Sequence, residues 1–220
     1  MQHPRLLGDS VIETPPSRVG DVVALYGLPA YGDSGGHAGT VFDPAATVRA
    51  ALYQGGELLA GGDDRITAEV APNTLPYRLV EDTTREQPGR PYSTRTHTEW
   101  AFRSGHANET ALQTLPLAQL DYAVATDLSG RARRRTEVRV TPSHLAGVAG
   151  GRFGTVTLDV SYDDGATWHR TAATGRSRGE ATRFVLDAPA GARFVTLRAS
   201  AQDGAGSGVT QTVVRAFGLR

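Results

Sequence analysis

The sequence predicts an all-β protein made of two consecutive antiparallel β-sandwich domains, the second immunoglobulin- or fibronectin-like. Three observations predict it. Gly (26) and Pro (12) punctuate the 220 residues at short intervals, leaving segments too short for ordinary helices but suited to strands. Within those segments apolar and polar residues alternate, as on a sheet with one face in a core and one in water. The strand signals recur about every 8–15 residues with a turn between, the spacing of sandwiches and not of parallel βαβ units.

Taken in order, the first segment to decide is DPAATVRAALYQ (Asp43 to Gln54), which offers a helix an Asp cap and a Pro at its first position. Its continuation, VRAALYQGGELLAGG, reads better as strand, Gly-Gly turn and strand, so a hairpin is expected. Thr98, Trp100 and Phe102 fall on one strand face, which makes Trp100 and Phe102 core residues of the first domain. The small polar stretch SGHANETA (Ser104 to Ala111) follows. It marks a boundary between domains of residues 1–106 and 107–220, each large enough for a small sandwich. In the second, Leu120, Tyr122 and Val124 share a face, as do Val138 and Val140, Val156, Leu158 and Val160, and Val195, Leu197 and Ala199. The last two strands flank a Gly-rich turn, Gly204 to Gly208.

Composition narrows the function. The 23 basic residues, all Arg, balance 23 acidic ones, so neither a nucleic acid nor an anionic membrane is an expected partner. The absence of Cys excludes disulfides, thiolate catalysis and Cys-ligated metals. No apolar run approaches the roughly 18 residues that span a bilayer, and the N-terminus lacks the apolar core of a signal peptide. A soluble chain without an export signal is expected, with no cofactor.

Three local strings and the scattered histidines bear on chemistry. YGDSGGHAG (Tyr31 to Gly39) contains the Gly-Asp-Ser-Gly-Gly of chymotrypsin-like nucleophiles, but that family's histidine and aspartate come earlier in the chain, and the one histidine before Ser34 is His3, near the start. A glycine-rich turn is expected at Ser34. His3, His37, His97, His106, His144 and His169 show no zinc-type spacing and no local partner. RARRR (Arg131 to Arg135) reads as a solvated hairpin before it reads as an anion or wall-polymer contact. SYDDGATW (Ser161 to Trp168) fits the S-x-D-x-G-x-T-W pattern of the Asp-box, a hairpin device that sialidase-type propellers repeat and this chain shows once. Ser161 and Asp163 bond inside the turn, Gly165 supplies a positive φ, and Trp168 packs its ring beneath the hairpin as a core residue of the second domain. No metal site is expected. Asp163, Asp164 and Asp203 are the weak calcium candidates.

Longer strings carry a resemblance. PYRLVEDTTREQPGRPYSTRTHTEWAFRS, LPLAQLDYAVATDLSGRA, LDVSYDDGATWHR and GARFVTLRASAQDGAGSGVTQTVVRAFGLR occur in that order. The run resembles the C-terminal region of large secreted subtilisin-family serine peptidases of actinobacteria, and LPAYGDSGGHAGTVFDPAATVRAALYQGGELL extends the likeness towards Val22. The resemblance implies a non-catalytic accessory region, because that family's Asp, His and Ser lie upstream and its Gly-Thr-Ser-Met-Ala-like string is absent here. It also implies an extracellular location, a catalytic peptidase domain in cis as partner, and contact with polymeric substrate or cell wall. The alternative is a free-standing carbohydrate- or cell-wall-binding module, which needs an exposed aromatic such as Tyr31 or Tyr92.

Overall fold

A computed structural model describes residues 15–26, 45–63, 65–85, 89, 91–176 and 181–220. They form seventeen strands and, among the described residues, no helix. The first eight are β1 (Ser17–Val19), β2 (Val22–Tyr26), β3 (Ala46–Gln54), β4 (Glu57–Gly62), β5 (Arg65–Glu69), β6 (Leu75–Arg85), β7 (Arg95–Ser104) and β8 (Gln113–Thr114). The others are β9 (Ala118–Val124), β10 (Arg131–Ala132), β11 (Arg135–His144), β12 (Thr157–Ser161), β13 (His169–Thr171), β14 (Ala173–Arg176), β15 (Thr182–Asp187), β16 (Phe194–Gln202) and β17 (Gly208–Leu219). The segment that could have been helical is β3, turning at Gly55 (φ 61°) into β4.

These strands make an all-β sandwich of three sheets. A central sheet runs β13-β12-β16-β17-β7-β6-β3-β4, with β10 added beside β17, and two four-stranded sheets, β5-β2-β1-β8 and β14-β15-β11-β9, complete the fold. Cross-strand partners share a face, and the register traces one row across six strands: Ala50, Glu81, Thr98, Gln211, Ala199 and Leu158. Every member of that row is buried. The smaller sheets therefore cover the same side of the central sheet, one over each half, and its other side is open. Trp100 ties the two halves together: its ring is buried on β7, and its Nε1 donates to the carbonyl of Ala118, where β9 begins, at 2.8 Å.

The central sheet is continuous across the polar stretch between the halves, because β7 pairs antiparallel with β17 over Arg95–Ala101 and Gly208–Val214. Residues 104–111 are docked, not free. The His106 and Ala107 amides donate to Pro72 and Gly20 carbonyls at 2.8 and 3.0 Å, and β8 beyond them pairs with β1. Past Val214 the ladder bulges. Arg215 takes φ 52°, and its guanidinium reaches both carboxylate oxygens of Asp164 (Nη2–Oδ2 2.6 Å) while lying 4.9 Å from the Phe194 ring centroid. A bulge of this kind re-aims a side chain that the regular pleat would send elsewhere.

The buried row includes an acid. Glu81 has no solvent exposure; the Thr83 hydroxyl donates to its Oε1 at 3.2 Å, and Oε2 has no hydrogen-bond partner among the described residues. Burial pushes its carboxyl up to about 8, against 4.5 for a free side chain, so it is protonated in the folded chain at neutral pH. A raised carboxyl favours folding fully below the unfolded value of 4.5, and this advantage is lost as pH rises towards about 8. Glu81→Gln keeps the acceptor for Thr83 and removes the titration. In chemical denaturation it should match the parent near pH 4.5 and exceed it by roughly 2–4 kcal/mol near pH 8.

Candidate functional site

The open side of the central sheet is polar and laddered. One row crosses seven strands as Arg49, Asp82, His97, Thr212, Arg198, Asp159 and Arg170. The next carries Ala51, Val80, Glu99, Thr210, Ser200 and Thr157, and a third Tyr53, Arg78, Ala101, Gly208 and Gln202. Period-two alternation explains the placement: each of these residues except Arg170, on the exposed edge strand β13, is one step from a buried neighbour on its own strand.

Its charges are matched in place. His97 sits between two carboxylates, with Nδ1 2.7 Å from Asp82 Oδ1 and Nε2 3.0 Å from Glu99 Oε1, and Arg78 donates to Glu99 Oε2 at 3.3 Å. Partial burial works against the imidazolium, but the bonds to Glu99 and Asp82 outweigh it and hold the proton above the usual histidine range. The His97 bond in turn lowers Glu99. With both ring nitrogens engaged, His97 is placed to clamp β6 to β7, not to take a proton from a substrate. Further along, Arg198 and Arg170 both meet Asp159, at 3.1 and 3.0 Å.

Two grooves lie on this face. One, of about 370 Å³, is lined by Arg78, Glu99, Thr155, Ser200, Gln202 and Thr210. The other, of about 320 Å³, is lined by Asp82, Arg95, His97, Asp164, Trp168 and Thr212. Each has an aromatic ring beside it under a guanidinium: Arg78 over Tyr53 and Arg198 over Trp168, both at 4.3 Å.

The hairpin read from SYDDGATW is built as its letters require. The Ser161 hydroxyl donates to Asp163 Oδ1 (2.7 Å) and accepts from the Gly165 amide (2.8 Å), while Asp163 accepts from the Thr167 amide and hydroxyl (2.9 and 2.6 Å). Gly165 holds φ 97° with the Trp168 ring against it. Trp168 corrects one expectation: it is half-buried on the open face, not in a core, because the turn delivers it over Arg198. Trp100 and Phe102 are buried at 2% and 1% exposure.

The three aspartates weighed for calcium are not brought together. Asp163 and Asp164 lie at the β12–β13 turn and Asp203 at the other end of β16, roughly 25 Å along the strand. Asp203 instead accepts from the amides of Gly151, Ala205 and Ser207 (2.8, 2.9 and 2.8 Å) and pairs with His144 Nε2 at 2.9 Å. Burial opposes its charge, and the bonds from His144 and the three amides more than offset that, lowering it. His144 stacks on Phe153, and Gly150 passes so close to the ring that any side chain there would collide with it. This dyad was invisible in the sequence, where 59 residues separate its members.

Tyr31, Ser34, His37 and the rest of Gly32 to Gly39, with His3, lie outside the described residues. Tyr92 donates its hydroxyl to the Ser129 carbonyl at 2.8 Å and sits edge-on to Phe194. Within RARRR, Arg131 and Ala132 form β10 beside the end of β17, and Arg134 donates to the carbonyls of Pro189 and Ala192.

Neither a protein-family model nor a curated protein matches this sequence.

The Thr167 hydroxyl and amide and the Ser161 hydroxyl lower the Asp163 carboxyl to about 2, from 3.8 for a free side chain. A lowered carboxyl stabilises the fold above its unfolded value and loses that effect as pH falls through the folded one. Asp163→Asn should therefore lower the melting temperature by a constant amount at neutral pH, and the gap should close as pH falls from 3.8 to about 2. Thermal melts followed by circular dichroism across that range measure it.

Proposed function

We propose that this chain is a non-catalytic accessory region of a secreted subtilisin-family serine peptidase, and that it meets polymeric substrate or the cell wall through the open face of the central sheet. The observation that carries the contact is the face itself: seven strands of self-neutralised polar side chains, two shallow grooves, and a ring beside each. Such a surface suits a long, hydroxyl-rich polymer better than a small substrate, which needs an enclosed pocket. The ordered resemblance of the four long strings supports the parentage. The sheet orders of the second half support an immunoglobulin-like reading of it: β9-β11-β15-β14 opposed to β12-β16-β17 follows the ABED and CFG arrangement.

A free-standing carbohydrate-binding module is the second reading, favoured by the half-exposed Tyr53 and Trp168 on the same side. Both readings share the face and differ in the catalytic partner. Pull-down of the full chain with insoluble cell wall and with polysaccharide should show retention that falls about five- to tenfold in Trp168→Ala and Tyr53→Ala, the loss of one stacked ring. Retention unchanged by both substitutions removes the face from consideration. A subtilisin-type catalytic domain supplied in trans should melt higher with the chain present if the first reading holds, and unchanged if the second does. A fluorophosphonate probe should leave the chain unlabelled; covalent labelling of any serine rejects both readings.

A further inference from the structure

A third cavity, of about 500 Å³, shares no residue with the two grooves. Its base comes from Arg18 on β1 and from Arg103, Ser104 and Gly105 at the end of β7. One wall is the segment 112–116, and the other is the turn 147–149 that follows β11, so it lies where the two halves of the chain meet.

The lining is polarised. Arg18 is 99% buried (1% exposed), an arrangement that is costly for a guanidinium unless its donors are used. Its Nε donates to the Gly20 carbonyl (2.8 Å), and its Nη2 to Asp21 Oδ1 (2.6 Å) and the Ala71 carbonyl (2.8 Å). Among the described residues Nη1 has only Ser104 Oγ, at 3.4 Å, and Ser104 is part of the cavity lining. The loosely held end of the fork is thus the end beside the cavity. Arg103, exposed at the same base, donates to the Thr74 carbonyl at 3.1 Å and has no carboxylate partner among the described residues. Among the described residues two guanidinium groups line the space and no Asp or Glu does; Asp21, paired with Nη2 of Arg18, stands outside the lining. The Gln113 and Thr114 side chains add neutral polar groups, and Leu112, Leu115, Pro116 and Val148 make the remainder apolar.

We propose that this cavity binds a carboxylate that carries an apolar arm, as the last residue of a peptide does. The carboxylate would complete the Arg18 fork with a charge-assisted pair, the bond for which a planar guanidinium is suited. The arm would lie on Leu112, Leu115 and Val148. A volume of this size is that of sites for small ligands.

Acetyl-Ala-Leu with a free carboxylate, its C-terminal amide, and isobutyrate are the probes, titrated into the isotope-labelled full chain and followed by amide NMR. The free acid should shift Gly105, Thr114 and Val148 saturably with a dissociation constant below about 1 mM, and the amide should bind at least about tenfold more weakly. Isobutyrate binding as tightly as the dipeptide assigns the site to free small acids; binding at least about tenfold weaker assigns it to peptide C-termini. Arg18 holds β1 in place, so the variants are Arg103→Ala and Thr114→Glu, on partly or fully exposed side chains. Each should keep the parent's melting temperature and lose at least about tenfold in affinity. Equal binding of acid and amide, shifts confined to other residues, no saturable binding, or parental affinity in both variants would overturn the assignment.

Discussion

The antiparallel ladder between β7 and β17 holds the two halves in one molecule. Those strands lie more than a hundred residues apart in sequence, and the ladder pairs them from Arg95 to Ala101 against Val214 to Gly208. By bonding each other they remove two edges that would otherwise present unpaired amides and carbonyls. The ladder also fixes parity. Once Thr98 faces Gln211, Trp100 and Val209 must fall on the same side, and so must the residues in register with them on β6 and β16. Both smaller sheets then cover that side, and the opposite one is left to water.

The joint is polar inside. Glu81, Thr98 and Gln211 sit in one buried row across β6, β7 and β17, with the Gln211 amide donating to Thr98 at 3.1 Å. A row of leucines would bury more apolar area. The polar row instead gives the ladder a preferred register, since a slip of one residue would send Glu81 to the face that Val80 occupies. The same parity places His97 between Asp82 and Glu99 on the outside, so inner and outer ladders are set by one pairing.

Much of the core was legible because alternation is a local property. Val138, Val140, Leu158, Val195, Leu197 and Ala199 are fully buried, and the faces assigned to them follow from residues two apart. The Gly55–Gly56 turn overrode the helical signs of Asp43 and Pro44 for an equally local reason, as glycine at positive φ closes a hairpin. What was not legible is non-local. Nothing in THTEW announces that its strand pairs with the last one, and the polar Thr96 and Thr98 sit inside only because β17 and β6 flank them. Trp168 shows the limit from the other side. Its ring reads as core by type, yet the Arg198 guanidinium supplies the cover, and that contact spans thirty residues. The candidate sites divide the same way: the Ser161–Asp163–Thr167 turn is written in seven consecutive residues, whereas Arg18, the His144–Asp203 pair and both grooves are assembled from distant ones.

β17 bonds to β16, β7 and β10, and it is the last of the seventeen strands in chain order. During synthesis the ribosome therefore releases every other strand before the one that joins them. Until then β7 waits as an unpaired border and β16 has a neighbour only through β12, a state prone to pairing with the wrong chain. Maturation of both halves is gated by the arrival of the same twelve residues, which makes early release from the ribosome, before those residues are made, a fault felt throughout the molecule.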